Sequence, residues 1–179
     1  MPQLSLQEIT LDQYSQLQNM ARFYVYDCSK SVGDLPHWEI PESGLFECYD
    51  LKNYITDDDR RAYFIMHDQE IAGFIMLNQV ANLPKIDWVI AEFFILGKFQ
   101  GKGMGSQILS LLFQKLPGTW EVSVMPFNEP ALHFWEKIFR KLAQQKVINE
   151  NYEMIVKETV TQSPTSPPNL KNIFKIETF

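Results

Sequence analysis

Ile90-Ala91-Glu92-Phe93-Phe94-Ile95-Leu96-Gly97-Lys98-Phe99-Gln100-Gly101-Lys102-Gly103-Met104-Gly105-Ser106 is the stretch that decides the fold. It continues an apolar run that starts at Trp88 and ends at Leu96, the signature of a strand buried on both faces. Beyond a glycine-rich turn the apolar period lengthens: Met104, Ile108, Leu111, Leu112 and Leu116 recur at helical spacing. The stretch therefore reads strand, glycine turn, helix. Glycines at 101, 103 and 105 let successive main-chain N–H groups face one concavity with no Cβ in the way. The following helix adds its unpaired amides and the positive end of its dipole. Such a turn suits the phosphates of a ligand. Two familiar phosphate patterns are absent, since no Lys-Ser or Lys-Thr pair follows a spaced glycine and the glycines run G-x-G-x-G.

Downstream, Pro117-Gly118 stops the helix and Trp120–Val124 predicts a strand. Asn128 before Glu129-Pro130-Ala131 predicts an N-cap, and Leu132, Phe134, Trp135, Ile138, Phe139 and Leu142 mark the helix behind it. Val147–Lys157 predicts a strand, Ser163–Pro168 a loop and Ile173–Ile176 a last strand. Upstream, Ala62–Met66 and Ile71–Leu77 around His67-Asp68-Gln69-Glu70 predict a hairpin. Leu4–Ile9 alternates as a strand should, residues 11–30 carry a helical period, Gly33–Gly44 reads as loop, and Asp50–Ile55 as a short helix. The order β-α-α-β-β-β-α-β-α-β-β predicts a mixed α/β sheet in one domain spanning residues 1–179.

Composition sets the outer limits. The chain has 179 residues, 45% of them hydrophobic, enough for a sizeable core. Its net charge of −6 gives no electrostatic footprint for nucleic acid. Cys28 and Cys48 make no disulfide framework and no C-x-x-C pair, so a reduced, cytoplasmic setting is expected. No signal peptide and no membrane span is expected from the apolar pattern. His37, His67 and His133 lack metal-ligand spacing, which predicts no metal site.

Gln100-Gly101-Lys102-Gly103-Met104-Gly105 fits Q/R-x-x-G-x-G/A and resembles the acetyl-coenzyme A pyrophosphate loop of the GNAT superfamily of N-acetyltransferases. Asn128 to Lys137 is similar to that family's N-x-x-A-x-x-F-Y-x-K, and the two motifs stand in the family's order, each after a strand and opening a helix. The resemblance covers Ala62 to Lys157 well and the first third in layout. It implies a GNAT-like fold with acetyl-coenzyme A as cofactor. The central strand would splay from its neighbour, and Phe93, Phe94 and Ile95 would pair their main chain with the cofactor. Gln100, Gly101, Lys102, Gly103, Met104, Gly105 and Ser106 would hold the diphosphate, with Asn128 and Trp135 facing the pantetheine arm. Lys98 and Lys102 are further candidates for the phosphates, and a main-chain N–H would stabilise the acyl oxygen.

Direct transfer needs no enzyme nucleophile, so Cys28 and Cys48 are expected to be inert buried thiols. It does need a base. Glu92 is the sole charge in the run Trp88–Leu96; strand parity sets it on one face with Ile90 and Phe94, where burial would raise its pKa. The competing reading of Glu92 is a structural carboxylate bonded by neighbouring loops. Trp135 stands where the family often has a Tyr that protonates the leaving thiolate, and an indole N–H does not titrate usefully. Solvent or another Tyr would take that part. The family's Gly-Phe is here Ile138-Phe139. The acceptor pocket is expected from Tyr24, Asp27 and Trp38, with Tyr26, Asp34, Glu42 and Phe46 around them to hold a cationic amine. The implied activity is acetyl-coenzyme A-dependent N-acetyl transfer to a primary amine of a small molecule or peptide. The alternatives are a non-catalytic acyl-coenzyme A-binding module and, against the glycine spacing, a nucleotide-binding α/β protein. Last strands that pair with a second subunit would give a homodimer.

Overall fold

The apolar runs pair edge to edge. The structure, a computed structural model, describes residues 3–32, 38–46, 48–159 and 169–179. Its strands are β1 (Leu4–Glu8), β2 (Arg60–His67), β3 (Glu70–Asn78), β4 (Trp88–Ile95), β5 (Thr119–Val124), β6 (Glu153–Thr159) and β7 (Asn169–Glu177). Among the described residues they form one seven-stranded sheet in the order β1-β2-β3-β4-β5-β7-β6. Only β4 and β5 run parallel; every other pair is antiparallel. The helices are α1 (Tyr14–Val32), α2 (Asn53–Thr56), α3 (Met104–Lys115) and α4 (Glu129–Gln144). The expected mixed α/β architecture is what forms, with its sheet mostly antiparallel.

Each face of the sheet has its own core. Ile108, Leu112 and Phe113 of α3 and Phe139 of α4 pack with Trp120 and Phe174 on one face. Leu17 and Ala21 of α1, with Leu51 and Tyr54, cover Phe64, Phe74 and Met76 on the other. Strand β4 feeds both cores, as a continuous apolar run requires: Ile90 and Ile95 enter the first, and Phe94 the second. Gly73 of β3 sits so close to β4 that a Cβ there would lie 2.0 Å from the Phe94 carbonyl oxygen.

The face that carries Glu92 differs from strict alternation in one respect. The β3–β4 register passes from Met76 opposite Glu92 to Leu77 opposite Ile90, which leaves Ala91 as a bulge. Glu92 therefore shares a face with Phe94 but not with Ile90, because one extra residue inverts the parity between them.

Two strand limits also differ from the sequence pattern. The expected strand from Val147 begins only at Glu153, since Val147 and Ile148 close the end of α4 instead: the Val147 N–H donates to the Leu142 carbonyl, and Ile148 is buried in a single bridge to Thr178. The last strand runs from Asn169 to Glu177, longer than its apolar centre, because it lies between β5 and β6 and is paired on both edges. The expected loop Ser163–Pro168 and the first residues of the loop from Gly33 lie outside the described residues.

Buried Glu121 of β5 is a fully satisfied carboxylate. It accepts from the Asn82 and Leu83 main-chain N–H groups, both at 2.9 Å, and from Asn82 Nδ2 at 2.6 Å. Those donors pin the β3–β4 connection across β5 and carry the cost of burying the charge.

Candidate functional site

Strands β4 and β5 lie side by side for three pairs, Trp88–Ile90 against Trp120–Val122, and then part. The remainder of β4 turns its free edge to a cleft of about 640 Å³, walled by Phe93, Phe94 and Ile95. The turn after β4 closes one end of it. The Leu96 N–H bonds back to Ala72, buried Phe99 anchors a short 3-10 turn, and Gln100 Nε2 donates to the Ile95 carbonyl at 2.7 Å. Gln100 thus ties the glycine turn to the strand. Gly101 and Gly103 have φ of +74° and +75°, with open space where a Cβ would stand, so backbone conformation rather than room calls for glycine at both. Helix α3 starts immediately after, and its first-turn amides have no partner within the helix. Gly105 already belongs to α3, where its missing Cβ lets Phe134 and Ile138 of α4 approach.

The opposite wall is the first half of α4. Asn128 Oδ1 accepts the Ala131 N–H at 3.2 Å, the expected cap, and Pro130 sits in the first turn. Trp135 stacks on Phe139 with centroids 5.3 Å apart and meets Phe93 at 5.4 Å. It is 6% exposed, held by rings on both sides. From α1, Tyr24 and Asp27 reach the cleft.

Of the cofactor set expected from the sequence, Phe93, Phe94, Ile95, Gln100, Gly101, Gly103, Met104, Gly105, Ser106, Asn128 and Trp135 line this one cleft. Lys102 does not; it is exposed on the turn. Lys98 is turned away toward Glu70, with which it pairs. Three other lysines line the cleft: Lys30, paired with Asp27, and two on α4. Lys137 lines the cleft, and Lys141 donates from Nζ to Ser106 Oγ at 2.8 Å. Helical spacing of the two along α4 was the available signal. Of the acceptor set, Tyr24 and Asp27 line the cleft and Trp38 does not. Asp27 is ion-paired to Lys30, and Asp34 lies outside the described residues.

Glu92 stands behind this wall, on the α1 face of the sheet, partly buried. The Tyr49 hydroxyl donates to its Oε1 at 2.7 Å. Burial raises the Glu92 carboxyl above the ordinary glutamate value, while Tyr24, Tyr49 and the positive charge of Lys171 pull the other way. The same burial and carboxylate hold the Tyr24 and Tyr49 hydroxyls well up, so both stay protonated donors. Cys28 and Cys48 are half-buried rather than buried, and burial pushes both thiols up to about 11. At neutral pH they are thiols, not thiolates, and weak nucleophiles. Tyr49 lies in an irregular segment with no periodicity, and nothing in the sequence marked it.

Residues 16–139 match the model of the acetyltransferase (GNAT) family. No curated protein sequence matches the chain significantly. Among solved structures, an acetyltransferase from Thermus thermophilus superposes with a TM-score of 0.61 at 18% identity, over 95% of both chains. The diaminobutyrate acetyltransferase of Paenibacillus lautus, in complex with L-2,4-diaminobutyric acid and coenzyme A, gives 0.57 at 14% identity, covering 99% of this chain and 96% of that one. A candidate streptothricin acetyltransferase from Bacillus anthracis, in complex with acetyl coenzyme A, gives 0.58 at 13% identity over 99% and 98%. At these identities the likeness speaks for the fold.

Proposed function

The chain belongs to the acetyltransferase (GNAT) family, and from that premise we propose that it moves an acetyl group from acetyl-coenzyme A directly to a primary amine of a small molecule or peptide. The observation that carries this reading is the single cleft where the free edge of β4, the glycine turn and the start of α3 meet. Its parts fit the cofactor. Main-chain amides from Gly101 to Ser106 suit a diphosphate, with Lys137 and Lys141 adding positive charge. The open main chain of Phe93–Ile95 offers strand-like partners to an amide-bearing arm, and Asn128 and Trp135 line its path.

Acetyl-coenzyme A, when bound, supplies the activated acyl group. A main-chain N–H of β4 stabilises negative charge growing on the acyl oxygen. Glu92, behind the cleft wall, draws off the proton that the amine must lose, and burial, which raises its carboxyl above the ordinary glutamate value, makes it a better base than an exposed carboxylate. The proton needed by the departing thiolate comes from solvent, since burial and the Glu92 carboxylate hold the Tyr24 hydroxyl too high to give one up. Trp135 contributes packing and no titratable proton. Tyr24 and Asp27 border the acceptor side. Among the described residues no helix is long and apolar enough to cross a membrane; a cytoplasmic setting and a homodimer through the edge strand β6, which exposes Met154 and Val156, belong to the same reading.

Calorimetry with acetyl-coenzyme A, chemical-shift mapping and a thiol-release assay over a panel of primary amines test the proposal together. The expected result is binding, with shifts concentrated at residues 93–106 and 128–141, and turnover on at least one amine. Shifts centred elsewhere would sink the cleft assignment. Binding without turnover on any amine would make the protein an acyl-coenzyme A-binding module.

A further inference from the structure

We propose that Tyr49 is a positioning residue for Glu92: its hydroxyl, donated to Oε1 at 2.7 Å, fixes, together with the Tyr24 hydroxyl, the carboxylate that draws off the amine's proton. The inference rests on Glu92 acting as the base. A glutamate on a strand has three rotatable side-chain bonds, and a base must hold its oxygen within hydrogen-bond reach of the proton it removes. Tyr49 supplies that restraint from a segment that is itself tied down by the residues directly after it. Asp50 Oδ1 accepts from the Tyr14 hydroxyl of α1 at 2.8 Å and from the Lys52 N–H at 3.0 Å. Leu51 is fully buried in the core beneath α1. The segment that follows the loop 38–46 is thereby fastened to α1, and Tyr49 reaches from it to the bulge on β4. Tyr49 as a whole residue is 52% exposed while its hydroxyl end is shielded beside Glu92, so it stands at the surface rather than inside the core.

The groups that face this pair are few. Tyr24 and Cys28 approach Glu92 from α1, Cys48 from the Tyr49 segment and Lys171 from β7, while Tyr54 of α2 neighbours Tyr49. A donated O–H favours the charged carboxylate. Loss of the Tyr49 hydroxyl therefore tightens proton binding at Glu92 and moves the acid limb of activity to higher pH.

Carbon-13 titration of the glutamate side chains, with the Glu92 signal assigned through Glu92→Gln, reads this without an acceptor. In Tyr49→Phe the Glu92 carboxyl should bind its proton about tenfold more tightly, a shift of about one unit. Tyr49→Leu also lacks the donor, gives the same direction, and serves if Tyr49→Phe does not fold. With an amine in hand, Tyr49→Phe should lower kcat/KM about tenfold on the acid side and less than about threefold on the alkaline plateau. In the Glu92→Gln background the same change should do nothing. An unmoved titration, or an equal loss in the Glu92→Gln background, overturns the inference while Glu92 keeps its part. Full turnover in Glu92→Gln overturns both.

Discussion

The two edges of β4 have opposite fates. Toward β3 the strand is paired from Val89 to Ile95, so tightly at its far end that Gly73 leaves no room for a Cβ. Toward β5 it is paired over three residues and then free. The closed edge spends its main-chain groups on the sheet; the open edge leaves them without a strand partner, and the cleft lies along it. One strand therefore both holds the fold together and walls the cleft, and its pairing to β5 ends at Ile90, the residue before the Ala91 bulge. A strand with both edges paired would have no polar main chain left to recognise anything.

The contrast can be broken first at Glu92, beside the bulge. Glu92→Gln should cut turnover by about 10²–10⁴-fold, the usual worth of a positioned base. In the wild-type protein the acid limb of kcat/KM should report the raised Glu92 pKa. Stability should move the other way. Because burial raises the folded-state pKa, the stabilising contribution is complete below the unfolded value and lost as pH rises through the folded one. A neutral Gln escapes that loss, so thermal midpoints of Glu92→Gln should gain on wild type from pH 4 to pH 8. Undiminished turnover across pH would reduce the open edge to a binding surface.

Next comes the closed edge. Gly73→Val drives a side chain into the Phe94 carbonyl and should cost about 3 kcal/mol or more. For a chain of this length that lowers the thermal midpoint by roughly 6–12 °C. A midpoint within a degree of wild type would show that the β3–β4 contact yields easily, and the contrast between the edges would weaken.

Smaller effects sharpen the picture of the open edge. Gly103→Val forces a branched side chain to φ of +75°. It should weaken acetyl-coenzyme A binding by about tenfold, in line with roughly 1–2 kcal/mol of left-handed strain, measured by calorimetry. Asn128→Ala removes the α4 cap and should cost about 1 kcal/mol in denaturant unfolding. If cofactor affinity falls with no loss of stability, Asn128 serves the ligand and not the helix.

The strand-turn-helix at residues 88–116 was legible because local rules suffice there. A doubly buried strand has no polar face, a left-handed turn asks for glycine, and an amphipathic helix repeats its apolar side. Asn128 was legible for a similar reason, since a cap and a proline in the first turn are neighbours in sequence. The sequence pattern sets Glu92 with Phe94 correctly and with Ile90 wrongly, because a bulge inserts one residue without any mark in the apolar pattern. Lys98 was read toward the phosphates, yet Glu70, which claims it, is brought there by the β3–β4 pairing. Tyr49 was missed because its partner lies 43 residues away on another element.

The sequence by itself determined the existence of most strands and helices and of the glycine turn between β4 and α3, since those depend on period, glycine and capping within a dozen residues. Only the tertiary structure decided that β4 leaves β5 after three pairs, that Ala91 turns Glu92 to the α1 face, and that Tyr49 meets it there. Those outcomes depend on register and on packing between distant segments, which no local pattern records.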